Sequence, residues 1–174
     1  ALALAGALGA TGCVVRTGPS DAPVEAQVNE VAVAAMAAEL APDPKLYTTQ
    51  TFDWVDASRK RAVPVRVYLP AKVAAGAAAT RVPLVVFSHG IGGSREGYKY
   101  LGRYFAANGY ASLHVQHIGS DRQIWFGNPF GLWSRLSGAA QENEVVDRVR
   151  DVGFALDQFL GSELGARVDP NRIV

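Results

Sequence analysis

The chain has 174 residues, 49% of them hydrophobic and 19% charged, with a net charge of +1. This length and composition suit one domain with a sizeable core and exclude wholesale disorder. The near-neutral balance offers no field of one sign to attract nucleic acid, and the single cysteine, Cys13, excludes an intrachain disulfide and a cysteine-based metal site.

The first ten residues, Ala-Leu-Ala-Leu-Ala-Gly-Ala-Leu-Gly-Ala, read as the h-region of a signal peptide. They are too few to cross a bilayer, which takes about 20 apolar residues. Ala10-Thr11-Gly12-Cys13 resembles a bacterial lipobox. Residues 1–13 are therefore expected to be a partial signal peptide with lipid attached at Cys13. A plain secretory signal and a buried N-terminal helix are the alternatives. Either signal means export, with membrane contact only through the lipid. Residues 14–44, rich in Ala, Val and Pro, suit a linker around a short helical stretch, Val24 to Leu40.

From residue 45 the pattern is that of a folded domain. Tyr47 to Asp56 reads as a strand, Ala57 to Arg61 as a turn, and Ala62 to Leu69 as a second strand with Val63, Val65, Val67 and Leu69 alternating. Pro64 cannot donate to a ladder, so it points to an edge strand. After an Ala/Gly loop (Lys72 to Arg81), the apolar run Val82 to Ser88 suits a strand buried on both faces of a parallel sheet. The turn His89-Gly90-Ile91-Gly92-Gly93-Ser94 follows. A helix is expected over Arg95–Asn108, capped by Ser94, with Tyr98, Leu101 and Phe105 on one face and Gly109 as its left-handed stop. Tyr110 to His117 is the next strand. Ile118 to Gly138 is a long aromatic loop carrying Trp125, Phe126, Phe130 and Trp133. Such loops are usually functional; covering a substrate pocket and simple packing are both open to this one. Gln141 to Leu160 is a helix with the apolar stripe Val145, Val149, Val152, Leu156 and Phe159, and an outer Glu144–Arg148 pair. Arg172 to Val174 begins another buried strand. The alternation gives an α/β fold with a mostly parallel sheet behind an antiparallel hairpin. His114 and His117 stand three apart on a strand and face opposite ways, so no metal and no cofactor are expected.

Four stretches carry a family resemblance: Pro83 to Ser94, Asn108-Gly109-Tyr110-Ala111, His117-Ile118-Gly119-Ser120, and Val168-Asp169-Pro170-Asn171-Arg172-Ile173-Val174. In this order they resemble the α/β-hydrolase superfamily, and within it the dienelactone-hydrolase-like and platelet-activating-factor-acetylhydrolase-like esterases. Ile118 and Gln116 depart from the family's proline and acidic residue. The resemblance implies an α/β-hydrolase fold cut before its nucleophile elbow, and a serine-type ester hydrolase acting on a small-molecule or lipid ester through an acyl-enzyme. The fold's nucleophile sits in G-x-S-x-G after the fifth strand, followed in the chain by the acid and the histidine. No G-x-S-x-G occurs among the 174 residues, so the triad is expected beyond Val174 and the chain alone is expected to be inactive. The resemblance leaves one catalytic role here, the Ile91 backbone N–H as an oxyanion donor. Trp125 and Phe126 are candidate substrate contacts. His89 is expected to hold the turn, and Arg148 and Asp151 to form a structural ion pair. A non-catalytic binding lipoprotein on this fold, or a nucleotide-binding domain using Gly90-Ile91-Gly92, are the rival readings; Arg95 and Gln116 stand against the second.

Overall fold

Why the strands assemble as they do is visible in β2. The computed structural model describes residues 41–74 and 81–174. The expected signal peptide, Cys13, the linker helix and residues 75–80 lie outside them. Strand β1 (Tyr47–Asp56) pairs antiparallel with β2 (Arg61–Pro70) across a four-residue turn. Alternate residues of β2, Val63, Val65, Val67 and Leu69, are buried in the main apolar cluster. Tyr68, on the opposite face, is also fully buried. A strand with both faces covered belongs inside a sheet, and β2 lies between β1 and β4.

The five-stranded sheet has the order β1-β2-β4-β3-β5. Strand β3 (Val82–Ser88) runs parallel to both β4 (Ala111–Val115) and β5 (Val168–Ile173), while β2 meets β4 antiparallel. Helix α1 (Lys99–Ala107) joins β3 to β4. Helices α2 (Leu132–Ala139) and α3 (Glu142–Leu160) lie between β4 and β5. Leu84, Leu113, Val115, Ala155 and Phe159 are among the residues that pack around the valines of β2. Full burial of one such leucine is worth about 1.5–3 kcal/mol.

Several expectations are corrected. The Pro64 strand is internal, yet its proline sits where β4 has run out. The Pro64 carbonyl accepts from the Gln116 N–H at 2.9 Å, and Pro64 lies one residue past the last β2–β4 pair, Val65 with Val115. The proline nitrogen faces the same side with no hydrogen to donate, but its place at the end of the ladder leaves the pairing of Val65 to Tyr68 with β4 intact. Helix α1 begins at Lys99, not Arg95. Tyr98 takes a left-handed conformation at φ 51° and interrupts the backbone there. Ser94 caps no helix: its hydroxyl accepts from the Glu96 N–H at 3.2 Å inside a turn. Tyr98 is half exposed, and α1 buries Gly102 and Ala106 instead. Gly109 does adopt positive φ, 87°, after the helix.

The aromatic loop is not structureless. It holds two 3-10 turns, Arg122–Trp125 and Pro129–Gly131, and then α2. Asp121 and Asn128 cap the two turns by accepting the Gln123 and Phe130 N–H groups. In α3 the buried stripe is Asp151, Ala155 and Phe159, whereas Val145 and Val149 are exposed. The first half of α3 turns its charges inward because cationic partners wait there on the β1–β2 turn.

Candidate active site

The parallel strands β3 and β4 stop together, with Ser88 opposite Val115. Sites in open α/β sheets form outside these carboxyl ends. Here the two following turns are zipped to one another. Gly92 N–H donates to the Ser120 carbonyl at 2.9 Å, and Gly93 bridges Asp121. The Trp125 indole N–H donates to the Gly92 carbonyl at 2.8 Å. Gly92 has φ 78°, and a Cβ there would lie 2.5 Å from the Trp125 ring, so only glycine fits beneath the indole. Both sides of the Gly92 peptide are thereby held.

Ile91, the residue singled out for its backbone, lies at the crest of this turn with its side chain half exposed. Among the described residues its N–H donates to no protein acceptor. Trp125 bonds to the turn through its indole with about half of its surface exposed, and Phe126 is mostly exposed. A cavity of about 520 Å³ opens nearby, between Gly119–Ile124 and the start of α3, with Arg135 and Glu144 on its wall. Neither Ile91, Trp125 nor Phe126 lines it.

His89 holds the turn from within. It is buried; its Nε2 accepts the His117 backbone N–H at 3.1 Å, so Nδ1 carries the proton and donates to the Gly90 carbonyl at 2.7 Å. Burial, with the nearby His117 and Arg148, lowers its pKa and keeps the ring neutral.

Beneath the turn lies a polar network that sequence reasoning did not find. Asp151, fully buried on α3, binds Arg59 Nη2 at 2.9 Å from the β1–β2 turn and Arg61 Nε at 3.0 Å from the start of β2. Its other oxygen meets His117 Nδ1 at 3.1 Å. Burial alone would raise the Asp151 pKa, but the bonds from His117, Arg61 and Arg59 outweigh it and hold the carboxylate ionised. His117 therefore donates from Nδ1, and its Nε2 accepts the Ser88 hydroxyl at 2.9 Å. Asp56 anchors the turn that presents Arg59. Bonds from Ser58 and Arg59 lower its pKa to about 2.

The expected Arg148–Asp151 and Glu144–Arg148 pairs are absent. Glu144 reaches Arg61 at 3.6 Å, and Arg148 turns to the strand ends instead, where the carbonyl and hydroxyls of residues 88, 89 and 120 offer acceptors. The one sequence trace of this network was the Arg148-x-x-Asp151 spacing, which puts both side chains on one face of a helix.

The family described as platelet-activating factor acetylhydrolase, isoform II, matches residues 53–124, from β1 through the turn to Ile124. A comparison with curated protein sequences found no match. Among solved structures, a ferulic acid esterase from Streptomyces cinnamoneus is 25% identical with a TM-score of 0.58, over 77% of this chain and 52% of that one. The acylaminoacyl peptidase of Pyrococcus horikoshii is 20% identical with a TM-score of 0.51, over 80% of this chain and 20% of that one. A bacterial heroin esterase is 18% identical with a TM-score of 0.50, over 84% and 39%. The last two speak for the fold alone. The chain thus spans about half the length of the ferulic acid esterase and less of the others. By its strands, its turn and these likenesses, the chain has the α/β-hydrolase fold, and over residues 53–124 it is similar to the platelet-activating factor acetylhydrolase family.

Proposed function

We propose that the chain is the N-terminal part of a serine-type carboxylic ester hydrolase and supplies one half of its oxyanion hole. The observation that carries this reading is the Ile91 turn. Among the described residues its N–H, at the carboxyl end of β3, meets no acceptor, while the peptides around it are held by Ser120, Trp125 and His89. A donor fixed before the reaction stabilises the tetrahedral oxyanion at no cost of reorganisation, and one such donor is worth about 2.7–4 kcal/mol of barrier. The matched family and two of the neighbours described above are named for cleaving esters, which favours acyl transfer over other chemistries of the fold.

In this reading a serine in G-x-S-x-G attacks the ester carbonyl, its proton passes to a histidine oriented by an acid, and the alcohol leaves an acyl-enzyme that water clears. These three residues belong outside the 174, which contain no G-x-S-x-G. Residues 1–174 by themselves then do not turn over p-nitrophenyl acetate. The substrate is a small-molecule or lipid ester. Export with lipid on Cys13 belongs to the same proposal; Cys13→Ala would then move the protein from the membrane to the soluble fraction.

The test is covalent labelling of the complete protein with a fluorophosphonate, followed by peptide mapping. The proposal expects one labelled serine, in a G-x-S-x-G sequence outside these residues, and loss of ester hydrolysis in step with labelling. A label on Ser94 or Ser120, or an active enzyme that resists the reagent, would overturn it.

A further inference from the structure

Arg148 bonds to three groups at the ends of two strands. It donates to the His89 carbonyl and, at 3.1 Å, to Ser88 Oγ through Nη2, and to Ser120 Oγ at 2.9 Å through Nη1. Ser88 and His89 lead directly into the Ile91 turn. Ser120 receives the Gly92 N–H on the turn's far side. One guanidinium thus ties the chain before Ile91 to the chain after it.

The guanidinium is itself aimed. Ser88 can accept from Arg148 because its own proton is committed to His117 Nε2, and that ring is fixed by Asp151. Asp151 in turn is fixed by Arg59 and Arg61. A planar fork with five donors suits several fixed acceptors at once; a lysine would not reproduce it.

We propose that Arg148 is a positioning residue for the oxyanion turn, oriented by a rigid relay of Ser88, His117 and Asp151. This rests on the function proposed above. Residues 88, 117 and 151 have the connectivity of a nucleophile, base and acid. The bonds already made decide against that role. Ser88 Oγ accepts from Arg148 Nη2 at 3.1 Å while it donates to His117, so a lone pair of the would-be nucleophile is already engaged. The Asp151 carboxylate that would orient a base is shared with two guanidiniums. The Ser88 hydroxyl is a strut, although it is exposed.

Arg148→Ala in the complete protein should lower kcat for p-nitrophenyl acetate roughly 10-fold or more, with KM changed less than about 2-fold. Millimolar guanidinium, far below denaturing levels, should restore part of that kcat, which a general packing defect would not allow. In the complete protein, Arg148→Met should speed hydrogen exchange at the Gly92 amide and spare the amides of β1 and β2. Unchanged kcat with unchanged Gly92 exchange would overturn the proposal. So would fluorophosphonate labelling of Ser88 in the parent that disappears in Asp151→Asn. If the parent proves to have no esterase activity, the function proposed above fails. The Gly92 amide then still decides the clamp: faster exchange supports it and unchanged exchange overturns it.

Discussion

The middle of the sheet and its carboxyl end hold together by opposite means. In the middle, Val63, Val65, Val67, Leu84 and Leu113 are apolar, fully buried and interchangeable in kind. Close packing of such residues tolerates volume-conserving swaps at small cost. At the carboxyl end, Asp151, His117, His89 and Ser120 are just as buried, but each depends on particular polar partners. A buried charge without its partner is far costlier than a lost methyl group. The first region sets the fold; the second fixes the direction of particular atoms.

Breaking the polar region should therefore cost at least as much as cutting the core. Asp151→Ala leaves two arginines facing one another around a buried gap and should destabilise by about 3–5 kcal/mol. The core reference, Leu113→Ala, should cost about 2–5 kcal/mol. Urea unfolding of both variants makes the comparison, and an Asp151→Ala cost below 1 kcal/mol would mean that the network is no more than a surface pair.

A smaller effect distinguishes the regions by pH. His114 sits within the sheet, its ring 5.0 Å from Tyr68 and 4.8 Å from Phe87, and its Nε2 meets Ser112 Oγ at 3.0 Å. Burial, with Arg66 nearby, lowers its pKa from 6.5 to about 4. These outweigh the Gly97 backbone and the Glu96 carboxylate, which favour the proton. The unfolded chain binds this proton at higher pH than the folded one, so stability is full above 6.5 and falls as pH drops toward 4. The loss should approach about 3 kcal/mol. Urea midpoints across this range should slope for the parent and flatten for His114→Phe; parallel curves would refute the assignment.

The smallest expected cost is steric. Gly102 of α1 faces Tyr68, and a Cβ there would lie 2.4 Å from the tyrosine ring. Gly102→Ala should cost about 1–3 kcal/mol by overpacking, although alanine is the better helix former. A stabilised variant, read by its melting temperature, would show that the sheet can yield.

How much of this was legible in the sequence follows the same division. The alternation of β2 and the apolar run of β3 announce strands because one- or two-sided burial imposes a period on the chain. Gly109 marks the end of α1 for a backbone reason that is equally local. The start of α1 was not legible, since Tyr98 adopts a left-handed conformation that no local pattern encodes. The valine stripe of α3 misled because Asp147 and Asp151 are drawn inward by Arg59 and Arg61, which lie about ninety positions earlier. The turn that carries Ile91 was legible from its glycines and from the resemblance. Its supports, Ser120, Trp125 and Arg148, could not, because they meet only when two strand ends come side by side.

The central claim is that a backbone N–H, held in direction by its surroundings, is what residue 91 contributes. The most direct measurement is kcat for p-nitrophenyl acetate in Ile91→Ala and Ile91→Pro forms of the complete protein, with circular dichroism confirming that both are folded. Alanine keeps the N–H, and kcat should stay within about 3-fold of the parent; proline removes the donor and should lower kcat roughly 100-fold or more. A folded Ile91→Pro enzyme with the parent's kcat would contradict the account.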